Sequence, residues 1–141
     1  MVQNWFHKNM ISSKLKTLFL ISIPIFIGHG FEEYFTGFYN VDPSFKFVFH
    51  FFETMSMPQA TFLVYQILLL LSLVILAFVV ASDMWRLRLM VIPGLFYIFE
   101  LDHFWQAFLV WGYYPGVITA IAFPIIGFLY WKELLRNFRK S

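Results

Sequence analysis

The chain has no cysteine among its 141 residues. That excludes disulfide frameworks, Cys-rich zinc sites and thiolate catalysis, and it leaves any metal to histidine and carboxylate. Charge is scarce as well: 13% of residues are charged against 60% hydrophobic, with a mean hydropathy of +0.72. A soluble domain carries about a quarter charged residues, so the composition reads as an integral membrane protein. The formal charge of +2 is too small to point to nucleic acid, and no nucleic-acid motif occurs. Lysine and arginine are absent altogether from 17–45 and from 89–131.

What is present is a succession of apolar runs. A helix crosses a hydrocarbon core of about 30 Å in roughly 20 residues, so the length accommodates one all-α domain of four transmembrane helices. The expected spans are 17–38, 59–82, 87–112 and 115–135. Lys8, Lys14 and Lys16 before the first run resemble the start of a signal peptide, but no small-residue cleavage site follows, and a retained span is expected. The segment 39–58 is too short and interrupted to cross. Asp42 is placed to cap a short interfacial or re-entrant helix over 43–56, with Pro43 as its first residue. Pro24, Pro93 and Pro124 fall inside spans, where each removes a backbone hydrogen bond. No internal repeat or low-complexity tract is found.

In this arrangement Lys8, Lys14, Lys16, Arg86, Arg88, Lys132, Arg136, Arg139 and Lys140 share one side, and only Lys46 is opposite. The positive-inside rule then puts both termini in the cytoplasm. Trp5, Trp85, Trp111 and Trp131 fall near span ends, as an aromatic belt would have them.

The chemistry is concentrated in three His/Glu sets. His29, Glu32 and Glu33 share a helical face at i, i+3 and i+4. Glu100 and His103 repeat the i, i+3 relation on the third span, with Gln106 a turn further on, and Asp102 is placed to orient a neighbour. His50 and Glu53 repeat it on the short helix, while His7 reads as tail. Counting about 1.5 Å per residue, the first two sets meet in the outer half of the bilayer. Helical bundles build carboxylate-bridged metal sites from Glu-x-x-His pairs, although only Glu100 and His103 have that order. An ionised carboxylate at the centre of a membrane helix costs about 2.5–3.5 kcal/mol, so these acids require compensation. Protonated histidine, protonated acid, water or a bound cation can each supply it. One or two divalent ions would neutralise the cluster most completely, and nitrogen and oxygen donors suit Zn, Mn or Fe.

"HGFEE" at 29–33 resembles the H-x-x-E-E signature of HXXEE-domain proteins, small multi-span membrane proteins of bacteria. A second segment, "DHFWQAFLVWGYYPGVITAIAFP" at 102–124, is similar to the later part of that family, where a His and a Gln lead to a Tyr-x-Pro-Gly-x-x-Thr-Ala pattern. The matching positions here are His103, Gln106, Tyr113 or Tyr114, Pro115, Gly116, Thr119 and Ala120. The resemblance implies a bacterial inner or plasma membrane location and supports the charged site without naming a reaction.

Three function classes follow. The leading expectation is a metal-dependent membrane enzyme, with His29, Glu33, His103 and Glu100 as ligands and Glu32 as general base or second-metal ligand. His50, Glu53, Asp102 and Gln106 are possible additions. Such an enzyme would hydrolyse a membrane lipid or another hydrophobic substrate near the outer leaflet, or act as a di-iron oxidase. The second class is a metal-free, proton-coupled transporter, which with four spans and no repeat would have to work as an oligomer. The third is a lipid-binding or accessory subunit whose polar cluster only holds helices together.

Overall fold

The computed structural model describes residues 11–141. Trp5, His7 and Lys8 lie outside the described residues. Among the described residues the chain is helical, with no strand. The helices are α1 (Ser13–Thr36), α2 (Phe38–Val41), α3 (Pro43–Phe49), α4 (Met57–Ala81), α5 (Asp83–Leu89), α6 (Val91–Phe99), α7 (Asp102–Leu109), α8 (Val117–Ala120) and α9 (Ala122–Phe138). A 3-10 turn, His50–Thr54, follows α3.

Local chemistry sets the ends. The Ser12 hydroxyl accepts from the Leu15 N–H to start α1, and Gly37, at φ 77°, ends it in the left-handed conformation that glycine adopts without a Cβ clash. Asp42 accepts from the Phe45 N–H at 2.7 Å, with Pro43 opening α3 as expected. Ser56 and Gln59 cap α4 reciprocally, and Arg86 turns back to donate to the Val79 carbonyl at the far end of that helix.

Three helical stretches are long and apolar enough to cross a membrane: Ser13–Thr36, Met57–Val80 and Val117–Phe138. The expected fourth, over 87–112, is not one helix. It is broken at Met90 and again at Glu100 and Leu101 into α5, α6 and α7. Pro93 has no N–H for the carbonyl four residues earlier, which accounts for the first break. Side chains of α9 satisfy nearby carbonyls: Tyr130 donates to Met90 O at 2.7 Å and Trp131 to Gly94 O at 2.8 Å. At the second break, 3-10-type bonds from Leu101 N to Ile98 O and from Phe104 N to Leu101 O replace the α-helical ladder. Pro124 explains the turn at Ile121 between α8 and α9 in the same way.

The core lies where α1, α6 and α9 meet, around Leu15, Leu87, Tyr97, Ala120, Phe123, Tyr130 and Leu134. Two glycines let α6 and α9 close. A Cβ at Gly127 would come within 2.8 Å of the Tyr97 Cβ, and one at Gly94 within 3.0 Å of the Trp131 ring. One end is tied by a polar latch in which Ser12 donates to Asn137 Oδ1 and to Glu133 Oε1, and Arg136 also donates to Glu133. The latch brings the start of α1 against the end of α9. The His/Glu residues lie toward the opposite end, His29 being about 17 residues or ~26 Å beyond Ser12 along α1.

Candidate metal centre

His29 on α1 and His103 on α7 are both buried, and their rings meet edge to face with centroids 4.7 Å apart. Glu33, one turn beyond His29, and Glu100, at the break between α6 and α7, complete the group. One ligand atom from each of the four lies within 4.8 Å of all the others. His29 Nε2 is 2.7 Å from Glu100 Oε2 and 3.6 Å from Glu33 Oε1; His103 Nε2 is 3.2 Å and 3.4 Å from the same two oxygens.

The two imidazoles are oriented from behind. His103 Nδ1 lies 2.8 Å from the Pro115 carbonyl. A carbonyl only accepts, so Nδ1 carries a proton and Nε2 is the nitrogen turned toward the carboxylates. His29 Nδ1 lies 2.8 Å from Thr119 Oγ1, and that hydroxyl donates to Glu32 Oε2 at 2.5 Å. The threonine has one proton to give, so its lone pair faces His29, which is thereby also protonated on Nδ1. Both Nε2 atoms therefore face the shared space, and theirs are the lone pairs that a bound metal ion would take.

One atom identifies the character of that space. Buried His29 Nε2 has no hydrogen-bond partner although Glu100 Oε2 is only 2.7 Å away, because the two are close without being aligned for a hydrogen bond. A buried polar atom so placed calls for a partner. Two imidazole nitrogens and two carboxylate oxygens converging on one point suit a single divalent ion of the Zn, Mn or Fe type. The surroundings are apolar: the His29 ring stands edge-on to Phe123 at 5.0 Å, and Phe38 covers His103 at 5.1 Å.

Gly116 makes the convergence possible. It sits at φ 88°, and a Cβ there would come within 2.6 Å of His103 Cε1 and 2.9 Å of His29 Cε1. The loop backbone therefore passes against both rings at a distance that only glycine permits.

Glu32, expected as a general base, faces elsewhere. Its two oxygens accept from Thr119 N at 2.8 Å, Ile118 N at 3.2 Å, Tyr113 OH at 3.0 Å and the Thr119 hydroxyl. It caps α8 in place of a residue of that helix, and it reaches the centre only through Thr119 and His29. The structure does not bring the four possible additions into the group. His50 and Glu53 pair with each other at 3.0 Å on an exposed turn. Gln106 donates to Asp102 at 3.2 Å, so Asp102 holds Gln106 and not His103.

Residues that had no part in the expected site surround it. Asp42, besides capping α3, accepts from Tyr114 OH at 2.9 Å within the protein interior. Burial and the facing Asp42 carboxylate push the Tyr114 phenol up, which keeps it a donor. The signal for Tyr113, Tyr114, Gly116 and Thr119 was the Tyr-Tyr-Pro-Gly-x-x-Thr run itself: a turn glycine followed by a hydroxyl at helical spacing.

No curated protein and no solved structure matches the chain. Residues 20–130 match the family described as proteins of unknown function with an HXXEE motif, and the match takes in His29, Glu32, Glu33, Glu100, His103 and Thr119. The chain belongs to the HXXEE family.

Proposed function

We propose that the protein is a membrane-embedded, metal-dependent hydrolase acting on a lipid or other hydrophobic substrate near the outer leaflet. The observation that carries this reading is the unpartnered, buried Nε2 of His29, converging with His103, Glu33 and Glu100 while both Nδ1 atoms are held from behind. In the membrane, α5, α6 and α7 together serve as the fourth crossing, α1, α4 and the α8–α9 stretch being the others.

When bound, a divalent ion with a free coordination position supplies Lewis acidity and lowers the pKa of water toward neutrality. The chain's own residues do the rest. Pro115 and Thr119 hold the imidazoles in the donor tautomer, and Glu32 fixes Thr119. Glu33 is the half-buried carboxylate with the longer contacts, 3.4 and 3.6 Å, and it lines the adjoining cleft. Glu32, with both oxygens occupied by donors, is assigned a positioning role and not that of a base.

The test is incubation of the reconstituted protein with a membrane lipid extract in ¹⁸O-labelled water. Hydrolysis appears as products carrying ¹⁸O, dependent on added Zn, Mn or Fe(II) and lost in Glu33→Gln. Unlabelled lipids after metal loading, together with proton flux in liposomes that His29→Gln abolishes, would replace the hydrolase with a proton relay. The run Glu32, Thr119, His29, Glu100, His103 is the observation that favours this second reading.

A further inference from the structure

Beside the four ligands lies a cleft of about 730 Å³. Glu33, Glu100 and His103 form part of its lining, and Asp42 and Asp102 add two carboxylates that are not among the metal ligands. No lysine or arginine lines it, and Phe38 and Trp105 stand among its apolar walls. A divalent ion on Glu33 and Glu100 would cancel those two charges and leave Asp42 and Asp102 unopposed. Asp42 accepts from the Phe45 N–H and from Tyr114 OH.

Glu100 also lines a second cavity, of about 450 Å³, formed with Phe19, Ile23, Phe26 and Phe96 between α1 and α6. Apart from Glu100 and Ser22 its lining is apolar. One residue thus borders an acidic cleft on one side and a hydrocarbon-lined groove on the other. The same carboxylate lies 2.7 Å from the Nε2 of His29.

We infer that the site takes an amphiphile whose head bears an ammonium group, with the head in the Asp42 and Asp102 cleft and the chain in the groove between α1 and α6. This deepens the hydrolase reading by naming a substrate class, and it rests on that reading for turnover only. A purely anionic head, such as a fatty acid carboxylate, would meet like charge, while a cation is attracted strongly because the walls are of low dielectric.

The experiment uses the full chain in neutral-lipid nanodiscs and four probes of equal chain length, each brominated near the head: an alkyltrimethylammonium, an alkylphosphocholine, a fatty acid anion and an alcohol. Bromine quenches nearby tryptophan, and the Trp105 share is the part lost in Trp105→Phe. The ammonium-bearing probes are expected to quench Trp105 at about tenfold lower mole fraction than the acid or alcohol, and Asp102→Asn is expected to narrow that gap several-fold. Quenching by the phosphocholine equal to that of the simple ammonium makes a zwitterionic lipid the source; weaker quenching makes it a long-chain amine. Both support the inference. Equal quenching by all four probes, or preference for the acid, overturns it. Each titration is run after chelation and after Zn loading. Failure of the metal reading shows as absence of Zn binding with the ammonium preference intact, whereas failure of this inference shows as Zn binding without preference.

Discussion

Thr119 is the residue on which the orientation of His29 depends, because its single hydroxyl proton goes to Glu32 and its lone pair is left for the ring Nδ1–H. Outer partners of this type are worth about 10–100-fold in metal affinity. Thr119→Val, which keeps the shape and removes the hydroxyl, is expected to weaken Zn affinity by about that factor, while Thr119→Ser stays near the parent; competitive titration with a chromophoric chelator reads both. Equal affinities for the valine and serine variants would remove Thr119 from the account. The sequence had placed His29, Glu32 and Glu33 on one face, and at coarse scale they are. Yet i+3 and i+4 diverge by about 60° to one side and 40° to the other of the starting residue, enough for Glu33 to face His103 while Glu32 faces α8. Spacing alone defined the stripe; which neighbour each side chain met depended on where α8 lay.

At the scale of elements, the long apolar stretches and their caps were readable, since hydropathy and side-chain hydrogen bonding are local. The site's architecture was less so. Prolines were visible as kinks, but the division of 87–112 into three helices also depends on donors from α9, which reach carbonyls beside the first break. Pro115 and Gly116 stood at the start of the expected span 115–135, and the function of their loop follows only from its contact with both imidazoles. Gly116→Ala tests this. With φ at 88° and a Cβ within 2.6 Å of His103, the alanine forces the rings or the loop to move, and loss of at least tenfold in metal affinity is expected by analogy with other disturbed ligand shells. The helix content by circular dichroism should be unchanged, because the core around Tyr130 and Leu134 lies toward the other end of α9. Unaltered metal binding would contradict the wedge role given to this glycine.

For the whole molecule, the described basic residues other than Lys46 and the His/Glu centre separate to opposite ends. Lys14, Lys16, Lys132 and Arg136 lie on the turns of α1 and α9 joined by the Ser12, Glu133 and Asn137 latch, and Leu87, between Arg86 and Arg88, packs in the same core as Leu15 and Leu134. This polarity supports the proposed orientation, cytoplasmic termini with the centre toward the outer leaflet. The chain's lack of cysteine makes the test direct: Ser141→Cys should resist a membrane-impermeant maleimide in intact cells and Thr54→Cys should react. The reverse pattern would invert the topology and move the site to the inner leaflet. The apolar stretches were legible at this scale because hydropathy is summed over many residues, whereas the acidic cleft beside the centre depends on bringing Asp42 and Asp102 together from segments 60 positions apart.

The most direct test of the central claim is the metal content of the protein itself, purified in mild detergent without chelator or affinity-tag metal, beside His29→Ala and Glu33→Ala. The account predicts about one equivalent of a transition metal in the parent, as four ligands around one point require, and its loss from both variants while their helix content is retained. A parent that holds no metal, even after anaerobic incubation with Zn, Mn and Fe(II), would contradict it.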